Sequence, residues 1–151
     1  MGNISKNFSR AEFETSNTAK KHNIDNTIPQ KYEKNLIKLV EQLQIIRDEF
    51  NEPIVIGSGY RCDKVNKLVG GVPNSDHRFA AAADIKTTTD TLKHNMKLWK
   101  VITKLAKENK IHLRQIIFEY GNKKVGPNWI HVSVNNEYNT KRNNQIVFVG
   151  V

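Results

Sequence analysis

His77, Asp84 and His131 are the side chains of this chain whose types and placement point to metal chemistry. His77 follows a Gly70-Gly71 turn and a Pro73-Asn74-Ser75 loop, and Asp84 comes seven residues later, where a strand is expected to begin. A loop residue and the first residues of the next strand can converge on one point. His131 alternates with Trp129 and Ser133 on one side of an expected strand, away from Ile130, Val132 and Val134, so it faces a cleft if the aliphatic side is the core. Two imidazoles and one carboxylate leave the fourth position of a tetrahedral zinc open to water, which is the catalytic rather than the structural arrangement. Cys62, the only cysteine, is an alternative ligand, or simply a small buried thiol. The other histidines have plainer readings. His22 lies in a polar stretch, His94 follows Asp90 by four residues and can pair with it on a helix face, and His112 has no acidic or cysteine neighbour.

The elements that must position these residues can be read from periodicity. Ser9-Arg10-Ala11-Glu12 has the spacing of a capping box and opens a short helix. Pro29 suits the first turn of a longer helix carrying Leu36, Leu39, Val40, Leu43, Ile46 and Phe50, which Pro53 closes. Ile54-Val55-Ile56 is expected as a buried strand. Val65, Leu68 and Val69 predict a short helix stopped at Gly70-Gly71. A loop over 72–77 leads to a strand at Ala82-Ala83-Asp84-Ile85-Lys86-Thr87. Leu92, Met96, Trp99, Ile102 and Leu105 mark a second long helix, and strands are expected at 116–119, 129–134 and 146–149, with a turn at Gly121-Asn122. Helices early and in the middle, with strands crowded into the C-terminal half, predict an α+β fold. The expectation is a central antiparallel sheet with helices on one side and the metal in a surface cleft.

The bulk composition narrows the function classes. A length of 151 residues suits one domain, and no repeat, low-complexity tract or linker divides it, so residues 1–151 are expected to form a single domain. No apolar run is long enough to span a bilayer. Met1-Gly2-Asn3-Ile4-Ser5-Lys6 leads into polar sequence without a signal core, and Lys6 breaks the myristoylation pattern after Gly2. The expectation is a cytoplasmic product without membrane insertion. A net charge of +9, from 24 Lys plus Arg against 15 Asp plus Glu, attracts polyanions such as nucleic acid or the anionic polymers of a bacterial wall. The lysines (among them Lys31, Lys38, Lys64, Lys97, Lys104, Lys107, Lys110 and Lys123) are dispersed, and a solvated basic surface is the plain alternative.

Several motifs in order carry a resemblance. Ser58-Gly59-Tyr60-Arg61, Asn66, Gly70-Gly71, Asn74-Ser75-Asp76-His77, Ala82-Ala83-Asp84 and Trp129-Ile130-His131-Val132-Ser133 resemble the M15 family of zinc peptidases. That family is the D-alanyl-D-alanine carboxypeptidase and L-alanyl-D-glutamate endopeptidase group. Phe8-Ser9-Arg10-Ala11-Glu12-Phe13 and Ile24-Asp25-Asn26 resemble the N-terminal part of its small phage and bacterial members. The resemblance implies one Zn2+ per chain held by His77, Asp84 and His131. It further implies a monomer of Hedgehog-type zinc fold that cleaves an amide bond in peptidoglycan stem peptides, as a carboxypeptidase or endopeptidase, in the manner of a phage endolysin acting at the cell wall once released.

The remaining roles follow from the same resemblance and from what hydrolysis requires. A base must take a proton from water and return it to the leaving amine. Some M15 members carry an acid three positions before the last histidine. Asn128 stands there and cannot relay protons. Glu119, at a strand end before the turn, resembles the glutamate that small M15 members and the related Hedgehog-type zinc fold place before the final histidine, which implies the catalytic carboxylate; the plain alternative is an exposed strand-end acid. Arg61 is similar to the family arginine that faces the substrate, and its fork suits a peptide carboxylate or a developing oxyanion. Its plain alternative is a structural pair with Asp63. Ser75 either contacts substrate or caps its own loop, and Trp129 is expected as a wall of the substrate cleft. Ala80 departs from the glycine usual three residues after the first histidine. A positive φ there costs alanine on the order of 1 kcal/mol. A non-catalytic zinc-binding module is the first rival reading. A nucleic-acid binder is the second, and the aromatic content of 8% does not favour it.

Overall fold

A computed structural model of the protein describes residues 3–151; Met1 and Gly2, on which the leader and myristoylation readings rest, lie outside it. Its elements run α1 (Arg10–Glu14), α2 (Asn17–Lys21), α3 (Glu33–Phe50), β1 (Ile54–Ser58), α4 (Asp63–Leu68), β2 (Ala82–Thr87), α5 (Leu92–Lys107), β3 (Gln115–Glu119), β4 (Trp129–Ser133) and β5 (Gln145–Val149). The capping box at α1 is present, with the Ser9 N–H donating to Glu12 at 2.7 Å. A 3-10 turn, Gln30–Tyr32, follows Pro29 and feeds α3. α3 ends where Asn51 takes a left-handed conformation (φ 57°) just before Pro53, which cannot continue a helix.

The five strands lie in the order β1-β2-β4-β3-β5. β1, β2, β4 and β3 pair antiparallel, as expected, whereas β5 joins β3 in parallel, so the sheet is mixed. The reason lies in the 134–144 connection, which carries the chain from the end of β4 to the far side of β3. There the Asn144 side chain accepts from the Leu113 N–H (2.7 Å) and donates to the Ile111 carbonyl (3.0 Å), fixing β5 at the edge.

One face of the sheet presents Ala83, Ile85, Ile130, Val132, Ile116 and Phe118, all fully buried. Leu36, Leu39, Leu43 and Ile46 of α3 and Leu98, Ile102 and Leu105 of α5 join them in one core. Each of these leucine, isoleucine, valine and phenylalanine side chains stabilises the fold by about 1.5–3 kcal/mol on burial. This packing fixes register, because a slip of one residue would drive those side chains into water and turn the opposite set into the core. Asn95 of α5 ties the helix to the strands. Its side-chain oxygen accepts from the Thr87 N–H (3.0 Å) and its amide donates to the carbonyls of Pro127 and Asn128 (both 3.1 Å), which sets where β4 begins. Among the described residues no helix is long and apolar enough to cross a membrane.

Candidate metal centre

The register that buries Ile85 and Ile130 turns the alternate residues to the other face. Asp84 pairs directly with His131, which pairs in turn with Ile117, and Trp129 pairs with Glu119 two residues along the same face. Directly opposed residues in an antiparallel pair have Cβ atoms roughly 4.5–5.5 Å apart, so the sheet alone brings Asp84 and His131 together. β1 carries an irregularity between Ile56 and Ser58, opposite Ile85 and Asp84. Such a bulge bends the strand and re-aims the chain leaving it, here toward Tyr60 and Arg61.

His77 arrives from a 3-10 turn, Asp76–Phe79, where the sequence pattern predicted only loop. Ser75 caps that turn, its hydroxyl accepting from the His77 N–H at 3.3 Å, so the loop-capping alternative for Ser75 is realised while the residue also lines the cleft. Ala80 ends the turn at φ 55°, ψ 30°, the left-handed conformation in which alanine is strained. The strain does not displace the histidine. The His77 ring Nδ1 lies 2.6 Å from the Gly59 carbonyl, which it reaches as a donor, leaving Nε2 free to act as a ligand. A side chain at Gly59 would put its Cβ 2.7 Å from the Phe13 backbone, so only glycine lets that carbonyl approach.

The three groups converge. His77 Nε2 is 3.4 Å and His131 Nδ1 3.2 Å from Asp84 Oδ1. One ligand atom from each residue lies within 4.8 Å of the others, and these are the residues that could hold a metal ion. The donor set fits one divalent cation of borderline softness: two imidazole nitrogens, one carboxylate oxygen and a face open to the cleft. The protonation states agree. Burial pushes His77 below its ordinary value against the pull of Asp84, favouring the neutral imidazole that can ligate. Burial alone would raise Asp84, but His77 and His131 overturn that effect and hold its carboxyl well below the usual carboxylate range.

The cleft around this centre has a volume of about 670 Å³ and is also lined by Arg61, Glu119, Tyr120, Trp129 and Asn139. Arg61 is not paired with Asp63, which instead approaches Lys67 and Arg78. Its guanidinium stands 3.6 Å from Asp84 Oδ2, 3.3 Å from Ser58 Oγ and 3.4 Å from Asn66 Oδ1. Each contact is long, so the fork is held in place yet not saturated. Burial lowers its proton affinity while Asp84 and Glu119 raise it. Burial followed by the Asp84 charge pushes the Glu119 carboxyl above its ordinary value. Trp129 packs against Tyr120 with ring centroids 5.3 Å apart, and its buried Nε1–H has no partner among the described residues.

Of the alternatives raised from sequence, Cys62 packs against the core rather than joining the cluster. His94 pairs with Glu52 at 2.7 Å instead of Asp90, which is taken by Lys86. His22 and His112 are exposed. Sequence reasoning assigned no role to Asp76, a buried hub whose Oδ2 accepts from Arg114 (2.9 Å) and Oδ1 from Asn136 (2.9 Å) and Asn139 (2.6 Å). Its place beside His77 was visible; its partners, 38 to 63 positions away, were not.

An α+β fold that opens a two-histidine, one-carboxylate centre into a cleft, with a further carboxylate and an arginine beside it, has the makings of a single-metal hydrolase. The chain belongs to the Peptidase M15 family, whose model matches residues 6–133 and so spans every residue of the centre. Membership makes it a metallopeptidase, with a peptide as its substrate class. A search of curated proteins finds none that matches the chain.

Proposed function

We propose that this protein is a zinc peptidase that cleaves an amide bond in peptidoglycan stem peptides, acting as a monomer of one domain, in the manner of a phage lysin. The observation that carries the proposal is the meeting of His77, Asp84 and His131 in one cleft with an acid, Glu119, and a cation, Arg61, on the same face. His77 through Nε2, Asp84 through Oδ1 and His131 through Nδ1 would hold one Zn2+. When bound, zinc supplies Lewis-acid polarisation and a water acidified enough to attack near neutral pH.

Glu119 takes the proton from the attacking water. Its place two residues along the face from His131 puts the two Cβ atoms roughly 7–8 Å apart, leaving room for water between them. Water oxygen bonds to the carbonyl carbon, the carbon–nitrogen bond breaks, and Glu119 returns the proton to the departing amine. Its raised proton affinity suits a group that must both accept and donate. Arg61 faces the negative charge that develops on the carbonyl oxygen or resides on a stem-peptide carboxylate, and its unsaturated fork can tighten on either. Trp129 and Tyr120 form an aromatic wall, and Ser75 holds the turn that presents His77. Wall polymers and stem-peptide carboxylates are anionic, which the charge of +9 complements.

The test is digestion of purified peptidoglycan followed by mass analysis of fragments, with and without chelator, using wild type and Glu119→Gln. Wild type is expected to release a peptide or D-alanine and to stop on chelation. Removing the general base should cost about 10²–10⁴-fold in rate. Intact stem peptides after wild-type digestion would remove the peptidoglycan substrate, and a zinc-binding interaction module would then become the competing reading. Equal rates for the variant would remove Glu119 as the base while leaving the peptidase.

A further inference from the structure

The helix face of the molecule, remote from the cleft, carries an ordered array of charge that catalysis does not use. Lys93, Lys97, Lys100, Lys104 and Lys107 of α5 recur at intervals of four and three residues, and all five are exposed. That spacing aligns them on one side of the helix over about 21 Å at 1.5 Å per residue. α5 contains no acidic residue. Among the described residues only Lys104 meets an acid, Glu49 at 3.6 Å with both side chains well exposed, and the other four form no ion pair. A chain that scatters its lysines in sequence thus aligns five of them in space. The opposite side of α5 is pinned to the sheet, with Trp99 set edge-on to Phe118 at 5.1 Å, so the array cannot turn inward.

Beside the array lies an open depression of about 650 Å³, bounded by Lys100, Lys104, Lys107, Asn109, Asn143 and Ile146. It combines ammonium groups with the side-chain amides of Asn109 and Asn143, donors suited to phosphate and hydroxyl oxygens in alternation. We infer that this face is a second binding surface, for a linear polyanion whose phosphodiesters are joined by short polyols. The choice of a wall poly(glycerol phosphate) over nucleic acid rests on the wall-directed reading above and on composition. The depression has no aromatic ring for base stacking and no arginine fork, only point charges, amides and aliphatic surface. Since Phe118 and the ligands Asp84 and His131 occupy opposite faces of the sheet, a polymer held on α5 leaves the cleft open. The surface would hold the enzyme on the wall between cleavage events.

Purified poly(glycerol phosphate) titrated into the full chain across a range of salt tests this. The comparison is wild type against a variant with Lys97, Lys100, Lys104 and Lys107 all changed to Gln, a substitution that leaves helix propensity nearly unchanged. Flexible single-stranded polyanions lose affinity with a log–log salt slope of about 0.7 per neutralised phosphate, so the variant's slope should be smaller by about 3. Its affinity at low salt should fall at least tenfold, and the matching Lys→Arg variant should bind like wild type. Cleavage of a short soluble stem peptide should be the same in all three proteins. Salt-insensitive or absent binding by wild type, or undiminished binding by the Gln variant, would overturn the inference. So would a thymidine oligonucleotide of equal phosphate number that binds tenfold more tightly, which would turn the surface over to nucleic acid. Failure of all three proteins to cleave the peptide would instead strike the stem-peptide reading and leave the binding result standing.

Discussion

Removing the charge of Asp76 while keeping its shape should substantially destabilise the fold. The Asp76 and Arg114 side chains are 4% and 12% exposed, and the carboxylate accepts from three side-chain donors. In Asp76→Asn one end of the amide becomes a donor facing donors, and Arg114 keeps a charge that is nearly buried. Breaking a buried pair by removing one partner costs about 3–5 kcal/mol, and the amide's remaining acceptor places the expectation near the lower end, about 3 kcal/mol. At about 2–4 °C per kcal/mol for a chain of this size, the midpoint should fall by about 6–12 °C. The measurement is denaturant and thermal unfolding of wild type, Asp76→Asn, Arg114→Gln and the double variant. Because the penalty is chiefly an orphaned charge, the double variant should recover at least half of what Asp76→Asn loses. A loss below about 1 kcal/mol, or a double variant as unstable as the sum of the singles, would refute the reasoning, since neither fits a desolvated pair.

Three further outcomes follow from the same geometry. Ala80→Gly relieves about 1–2 kcal/mol of left-handed strain, but it adds about 0.5–1 kcal/mol of unfolded-chain freedom and removes a buried methyl worth about 0.8 kcal/mol. The net change in unfolding free energy should lie within about 1 kcal/mol of zero, and a destabilisation beyond 2 kcal/mol would contradict the balance. Tyr60 is buried, and burial, reinforced by Cys62 and Tyr32, pushes its phenol up from 10.0 to about 12. A folded value above the unfolded one means stability is fully present below pH 10 and declines as pH rises toward 12, by no more than about 2 kcal/mol at 1.36 kcal/mol per unit with allowance for solvent; Tyr60→Phe should flatten that alkaline limb. With zinc at a thousand times its Kd, chelation should remove about 4 kcal/mol of stability and lower the midpoint by about 8–16 °C. His131→Ala should show no such shift, and coincident melts of wild type with and without chelator would speak against the centre.

The long helices were legible because their apolar residues repeat with the helical period and commit to one core: Leu36, Leu43 and Ile46 on α3, Ile102 and Leu105 on α5. The outward aim of His131 was legible for the same kind of reason, since Ile130 and Val132 on either side of it had nowhere else to go. β5 was legible as a strand but not as a parallel edge. Its Ile146 and Phe148 are both substantially exposed, so no buried face dictated its partner, and the partnership depends on Asn144 meeting Leu113 and Ile111. The 3-10 turn at Asp76–Phe79 escaped because it is set by a cap and one left-handed alanine rather than by periodicity. The Asp76 hub escaped because it is assembled from Arg114, Asn136 and Asn139, and two of those three lie beyond the family match, which ends at residue 133.

What no spacing argument could assign is which of the two cleft carboxylates suits a cation and which suits the proton transfers proposed above. Both are acids on the same face of one sheet, and their environments separate them. Asp84 is the more enclosed, yet His77 and His131 face one of its oxygens and Arg61 approaches the other, so its carboxylate is held ionised. Glu119 is only partly enclosed, but burial and the fixed negative charge of Asp84 act on it in the same direction, and its proton is held more firmly than in water. Two titratable groups pushed apart by their surroundings define an acid–base division of labour. The register of β3 against β4 enforces it: shifting β3 by one residue would exchange Glu119 for Phe118 at the cleft and bury the glutamate against α5. The core packing of Phe118 and Ile116 against the helices is therefore what keeps Glu119, the proposed proton carrier, in the cleft.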